Sequence, residues 1–449
     1  ELVYPIVDDR AAGGRIWDVD GNEYIDLTMG FGVLLFGHAP KFIHESLIAQ
    51  LDRGLQIGPQ AKLAGEVAQL ITELTGTERA AFCNSGTEAV MTALRLARTA
   101  TGRHKIALFA GSYHGHFDGI LAKANAADGS ISPSAAGIPA QMVADVLVLE
   151  YGDPASLEIL RANATELAAV LVEPVQSRHP ELQPREFLHQ LRQLTSGSGT
   201  ALIFDEVLIG FRIHQGGAQA WFDIQADIIT YGKIVGGGLP IGVVAGKSKF
   251  LDAIDGGYWN YGDASYPAAE KTFFAGTFNK NHLGMVVARA TLQYLKAEGP
   301  SLQAKLNQKT HRLATTLNDY FKQMDVPMQV VHFGSLFRFS FNGNFDLFFY
   351  HLLAKGIYVW EGRSCFLSTA HTDADIDRVI RSVQESVDEL CQSGVIAKTT
   401  NQSAVKQLAN SAPAHLQLVR QSTHADESLP LSFAQHRLWF LEQLQPNSA

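Results

Sequence analysis

Ala201-Leu202-Ile203-Phe204-Asp205-Glu206-Val207 decides the architecture. A run of four apolar residues is too short for a helix and reads as a strand buried on both faces, with acids where it ends. Similar runs recur at 80–83, 105–109, 168–172 and 227–230. Between the first two, residues 88–97 set Val90, Ala93, Leu94 and Ala97 at i, i+3, i+4, i+7, the spacing of a helix with one buried face. Continuous apolar strands separated by amphipathic helices predict an α/β protein on a mostly parallel sheet. In such sheets ligands gather at the carboxyl ends of the strands, which is where Asp205 stands.

The 449 residues are 46% hydrophobic and 18% charged, with a mean hydropathy of +0.01, enough to bury a large core. A net charge of −9 and the lack of basic runs argue against nucleic acid or an anionic membrane as partner, since both need clustered positive charge. Cys83, Cys365 and Cys391 are scattered without metal-ligand spacing, which predicts free thiols, no metal and a cytoplasmic setting. No apolar stretch approaches the roughly 18–20 residues of a membrane span. The chain opens at Glu1 without a signal-peptide pattern and reads as a piece of something longer.

Outward from the central strands, residues 16–27 alternate apolar and polar around Asp20-Gly21-Asn22, a hairpin signal. After about Thr291 the pattern turns to long amphipathic helices with a few strands, among them 335–340. The expected organisation is an N-terminal segment (1–45) joining a small α+β domain, a large domain (46–290), the rest of the small domain (291–393), a polar linker (394–428) and a fresh apolar run (429–449). Residues 242–248 fall one residue short of a Walker A motif and are read as a chance string.

Four loops carry candidate chemistry. Asn84-Ser85-Gly86-Thr87-Glu88 opens a helix after a strand, where small residues and free N–H groups suit an anion; its plain alternative is a capping box. Asp205 ends its strand and needs a cationic partner. Lys233 follows an apolar strand and precedes Gly236-Gly237-Gly238, so a dry pocket there makes it a nucleophile toward aldehydes. Tyr113, in Gly111-Ser112-Tyr113-His114-Gly115-His116, offers a ring to stack on a planar ligand, while His114 and His116 read as ordinary histidines. Together these are the parts that pyridoxal 5′-phosphate requires for its phosphate, ring face, ring nitrogen and aldehyde.

The sequence from about Tyr4 to Leu390 resembles the class III, fold-type I aminotransferases, and within them the glutamate-1-semialdehyde aminomutase branch. The resemblance rests on residues 17–27, 84–89, 113–116, 204–212, 216–219, 231–242 and 275–278, all in family order. It implies a Schiff base between Lys233 and pyridoxal 5′-phosphate, with pyridoxamine 5′-phosphate as the intermediate form. It puts Asp205 at the pyridine nitrogen, Tyr113 and Val207 on the ring faces, and Ser85, Gly86 and Thr87 at the phosphate. His114 and Glu173 join the cofactor contacts, and Thr277 reaches the phosphate of a neighbouring subunit in a homodimer. An amino acid of the glutamate or glutamine class is the implied donor.

Residues 29–33, 173–178 and 360–368 resemble aminotransferase domains of hybrid polyketide–peptide synthetases, and 430–441 resembles the opening of a condensation domain. That implies a β-ketoacyl thioester on an acyl carrier protein as acceptor, with the condensation domain as neighbour. The alternative is an aminomutase or ω-aminotransferase acting on small free substrates. The chain departs from the aminomutase pattern at Phe31-Gly32-Val33 and Gly362-Arg363-Ser364, which makes Phe31, Gly32 and Arg363 candidate substrate contacts. For Arg363 the plain alternative is an ion pair with Glu361.

Overall fold

The structure is a computed structural model that describes residues 6–55, 61–125, 129–341 and 345–396. The expected apolar segment 429–449, and all but the first three residues of the expected linker, lie outside the described residues.

A seven-stranded sheet organises the chain. Its spatial order is Arg79–Cys83, Gly242–Gly246, Ile228–Gly232, Ala201–Asp205, Leu167–Val172, Lys105–Phe109 and Val146–Leu149. The last five are mutually parallel. Gly242–Gly246 runs antiparallel to both of its neighbours. The near-Walker string is therefore a sheet strand leading into a short turn.

Alternate residues of these strands feed two apolar clusters, as a side-chain period of two requires. Ile106, Leu171, Ile203 and Ile228 pack with Val90, Ala93, Leu94 and Ala97 of the helix Gly86–Thr101. Ala107, Val170, Phe204 and Ile229 pack in the other cluster with Phe187, Leu188 and Leu191 of the helix Arg185–Ser198. Both faces are covered, so the strands carry no polar alternation.

The hairpin expected at 16–27 is present as Arg15–Asp18 against Glu23–Asp26. Asp18 closes its turn by accepting from the Asn22 backbone and side chain, at 2.8 and 2.9 Å. Asp8–Ala12 adds one edge of this small sheet, and Ile357–Tyr358 pairs parallel on the other side. A third sheet joins Met328–Phe333, Leu336–Phe341 and Cys365–Phe366. The long helices Ser301–Gln323 and Asp373–Gln392 belong to this part of the chain, while helix His282–Glu298 runs across position 290/291.

Between the hairpin and the helix Lys41–Leu51 the backbone turns left-handed at successive residues: Met29 (φ 45°), Gly30 (60°), Phe31 (55°) and Gly32 (88°). Two of these are not glycine, so the turn is strained and must be held from outside. Asp26 supplies part of the hold: its Oδ1 accepts from the backbone N–H groups of Thr28 and Met29 at 2.7 and 2.9 Å.

The C-terminal helix is fixed at its start by a capping box. Thr372 Oγ1 accepts from the Asp375 N–H at 3.2 Å, and Asp375 Oδ2 accepts from the Thr372 N–H at 2.9 Å. Asp375 Oδ1 also takes both terminal nitrogens of Arg15, at 2.9 and 2.6 Å, joining the N-terminal strand to the last helix. Burial alone would raise the Asp375 pKa, but the Thr372 hydrogen bonds and the Arg15 charge outweigh it and hold the pKa below the usual value. The folded value lies below the unfolded one, so this stabilisation is present at neutral pH and lost as the pH falls through the folded value. Asp375→Ala should lower stability at pH 7 by about 1–3 kcal/mol, read as a lower urea midpoint. The gap to wild type should close in acid, and a midpoint equal to wild type at pH 7 would refute this role.

Candidate active site

The carboxyl ends of the parallel strands surround a cavity of about 420 Å³ that brings Ser85, Gly86, Thr87, Tyr113, Asp205 and Lys233 together. His114, Glu173 and Val207 also line it. Thr277 does not; it lies exposed in the stretch 275–278.

Asp205 is the last residue of its strand and is buried. Its Oδ1 accepts from Thr230 Oγ1 at 3.0 Å and from the Val207 N–H at 3.1 Å. Its Oδ2 meets His114 Nδ1 at 2.7 Å, so the partner that this buried carboxylate requires is a histidine. No local pattern marks this pair, because the two residues are 91 positions apart. His114 Nε2 is buried with no hydrogen-bond partner, a polar atom left for whatever fills the cavity.

Glu173 is buried beside this pair. It accepts from the Tyr113 and Ser177 backbone N–H groups at 2.9 and 3.3 Å, which fixes the loop that presents the half-exposed Tyr113 ring. Burial raises its pKa; His114 opposes this shift and the Asp205 charge adds to it.

Lys233 begins a single 3-10 turn directly after the strand Ile228–Gly232, and its φ is 42°. A left-handed lysine is costly and persists where surrounding structure imposes it. Burial lowers its pKa, and the charges of Asp205 and Glu173 only partly restore it. Arg212, which also lowers the Lys233 pKa, is fully buried, and burial pulls its own pKa down to about 9. Its guanidinium donates to Gly32 O at 2.7 Å, Ser335 Oγ at 2.9 Å and Leu367 O at 3.1 Å. One side chain thus ties the left-handed turn to the third sheet beneath the site.

At the opening of the helix Gly86–Thr101, Ser85 Oγ accepts from the Glu88 N–H at 3.2 Å and Glu88 Oε2 accepts from the Asn84 N–H at 2.8 Å. Ser85 is an N-cap, but Glu88 reaches back to Asn84 instead of to the Ser85 N–H, so the capping box is not closed, and the first-turn amides of Gly86 and Thr87 have no partner within the helix and suit an anion. Close packing explains two glycines here. A Cβ on Gly242 would sit 2.0 Å from Ser85 O, and one on Gly86 would sit 2.9 Å from Val207 Cγ1. A flat ligand carrying an anion fits such a cradle, with a buried amine and a fixed carboxylate beside it.

Of the expected substrate contacts, Phe31, Gly32 and Arg363 do not line the cavity but stand in loops around it. Val33, next to Gly32, and Ser177 do line it. Phe31 packs on Trp360 with ring centroids 5.4 Å apart, and Ser364 Oγ donates to Ser177 O at 2.9 Å. These contacts bring 29–33, 177–178 and 360–364 into one rim. Arg363 makes no ion pair with Glu361. Among the described residues no group of three or more His, Cys, Asp or Glu could hold a metal ion, and no helix is long and apolar enough to cross a membrane.

Comparisons with known proteins agree with this geometry. The aminotransferase class-III family matches residues 1–387. A glutamate-1-semialdehyde 2,1-aminomutase from Chloroflexus aggregans is 35% identical over 411 residues, 86% of this chain and 91% of the relative. A transaminase solved with pyridoxal 5′-phosphate bound superimposes with a TM-score of 0.79 at 30% identity, covering 87% of this chain and 92% of that one. An omega-transaminase from Sphaerobacter thermophilus gives a TM-score of 0.78 at 29% identity, covering 86% of this chain and 91% of that one. With a mostly parallel sheet of this topology and a cradle for the cofactor at its carboxyl edge, the chain belongs to the class-III aminotransferases, fold-type I enzymes that depend on pyridoxal 5′-phosphate.

Proposed function

We propose that Lys233 is the nucleophile and proton carrier of this aminotransferase and that Asp205 is the carboxylate that serves the cofactor's ring nitrogen. The observation that carries the reading is a buried, left-handed lysine sharing one cavity with a triply held carboxylate. Pyridoxal 5′-phosphate supplies an electron sink for the bonds at the substrate's Cα. Ser85, Gly86 and Thr87 would hold its phosphate, Tyr113 and Val207 its ring faces, with His114 and Glu173 setting the position of Asp205 and Tyr113.

The amine of Lys233, with its pKa lowered by burial, is neutral at a lower pH than a free lysine and so can accept the Cα proton and return it. Thr230 and Val207 donate to Asp205 Oδ1, which fixes in place the carboxylate that would serve the ring nitrogen. Thr277, exposed in one chain, fits a contact made across a homodimer. The hairpin and the C-terminal sheets would form the smaller domain beside the large one.

The substrate reading favoured by the relatives is a small free molecule, as in aminomutase or ω-aminotransferase chemistry. Their similarity spans nearly the whole described chain. A second reading, transfer to a carrier-bound β-ketoacyl thioester, is supported by the sequence at 430–441 and by the departures at 31–33 and 362–364. In this second reading the chain is a domain of a hybrid polyketide–peptide synthetase.

Two measurements test these readings. Lys233→Ala should retain cofactor through the phosphate cradle while turnover falls by about 10³-fold or more. Turnover at the wild-type rate would remove Lys233 from the mechanism. After loading with an amino donor, the protein should pass its nitrogen to glutamate-1-semialdehyde, free aldehydes or keto acids. If it reacts with none of these and does react with acetoacetyl carrier protein, the second reading replaces the first.

A further inference from the structure

We propose that Asp26 and His38 are positioning residues that close the neck of the loop 27–37 and so size the apolar wall of the cavity for an unbranched carbon chain. The inference rests on the aminotransfer reading and adds a specificity device to it. Asp26 ends the strand Glu23–Asp26, and His38 follows the loop. Their side chains meet directly: His38 Nε2 donates to Asp26 Oδ2 at 2.8 Å. The other oxygen of Asp26 is the one that holds the Thr28 and Met29 N–H groups. One buried carboxylate therefore joins the start of the loop to its end.

Both ends of the neck are anchored. The His38 N–H donates to Gly13 O at 2.7 Å, and the Gly13 N–H returns a bond to His38 O at 3.0 Å. Asp26 O accepts from His371 Nε2 at 3.0 Å, while His371 Nδ1 accepts from the Ser368 N–H at 2.9 Å. Along the loop, backbone carbonyls are held from outside. Leu27 O takes the Phe366 N–H at 2.7 Å, Gly32 O takes Arg212, and Leu35 O takes the Thr369 N–H at 2.8 Å. At the neck, in contrast, two side chains carry the contact, and His38 is partly exposed, so it can be changed without opening a core.

The loop matters because of what it carries. Val33 lines the cavity with Leu208, Leu239 and Pro240, an apolar stretch of wall. Gly32, the residue before it, is pressed against the same wall: a Cβ there would sit 2.9 Å from Leu208 Cδ1 and 2.8 Å from Phe366 Cε1. The left-handed residues 29–32 keep their conformation only while they are held. Without His38, Asp26 Oδ2 is a buried oxygen with its partner gone, and desolvation then works against the placement of the whole carboxylate. The turn relaxes, Val33 retreats from the cavity, and the wall opens to branched chains. The cradle at Ser85–Thr87, Asp205 and Lys233 stands on other elements and is left in place.

The test uses the holoenzyme and two variants: His38→Leu removes the donor, and His38→Gln keeps a donor at similar reach. Hydrogen–deuterium exchange reads the loop. Amides of 28–34 should exchange about tenfold faster in His38→Leu and at the wild-type rate in His38→Gln, with the strand Ile228–Gly232 unchanged in both. Exchange at 28–34 equal to wild type in His38→Leu would overturn the proposal, and so would equal acceleration throughout the chain. Selection is read as the kcat/KM ratio for amination of pentanal over 2,2-dimethylpropanal. That ratio should fall about tenfold in His38→Leu and recover in His38→Gln, while cofactor absorbance stays at the wild-type level. A faster loop with an unchanged ratio removes the specificity role. If wild type aminates neither aldehyde, the reading of transfer to small aldehydes fails, and selection is read without turnover. The measure is then the ratio of dissociation constants for pentanoate and 2,2-dimethylpropanoate by calorimetry. A ratio altered in His38→Leu and restored in His38→Gln supports the proposal; an unaltered ratio, or no binding of either acid, overturns it.

Discussion

Everything in this site is built around a carboxylate that cannot leave. Asp205 is buried, held at Oδ1 by Thr230 and Val207 and at Oδ2 by His114. Burial of a carboxylate is unfavourable unless each oxygen is satisfied, and here one neighbouring strand, the turn after Asp205 and a loop satisfy it. The consequence is positional. Thr230 is held beside Asp205 by parallel pairing, and three residues later the chain delivers Lys233 into the same cavity. Asp205 and Lys233 are therefore positioned by sheet register, a more rigid device than a loop.

The same logic extends outward through Arg212. Its guanidinium is buried without a carboxylate partner among the described residues; the two terminal nitrogens donate to Gly32 O, Leu367 O and Ser335 Oγ, while Nε has no hydrogen-bond partner. It follows Asp205 by one short helical segment, so it couples the strand end to the turn at 29–32 and to the strands that carry the rim. The left-handed turn stores strain, and Asp26 and Arg212 hold it. The mouth is thus shaped by residues far apart in sequence that share one buried cation.

Much of this was legible in the sequence, and the reasons differ by element. The strand Lys105–Phe109 falls where its apolar run predicts, because a strand buried on both faces leaves an unbroken hydrophobic signature. The hairpin was legible from its turn chemistry. Gly242–Gly246 was not, since two glycines in five residues lower strand propensity; the reason for Gly242 is the nearby Ser85 carbonyl, a contact no local pattern reveals. The residue types of the site, lysine, aspartate, tyrosine and the Ser-Gly-Thr helix start, stood out because their chemistry is specific. The His114–Asp205 pair and the contacts of the buried Arg212 did not, because each is made by tertiary contact between distant segments. The apolar residues 431–444 lie outside the described residues, so their bearing on the substrate is carried by sequence alone.

The most direct test of amino transfer follows the nitrogen. Holoenzyme is incubated with ¹⁵N-labelled amino acids one at a time, freed of small molecules by gel filtration, and then given an unlabelled keto acid or aldehyde. Transfer through the cavity of Lys233 predicts that the protein keeps one labelled nitrogen per active site and releases it only into the aminated acceptor. Label that never stays with the protein, for any donor, would contradict the account.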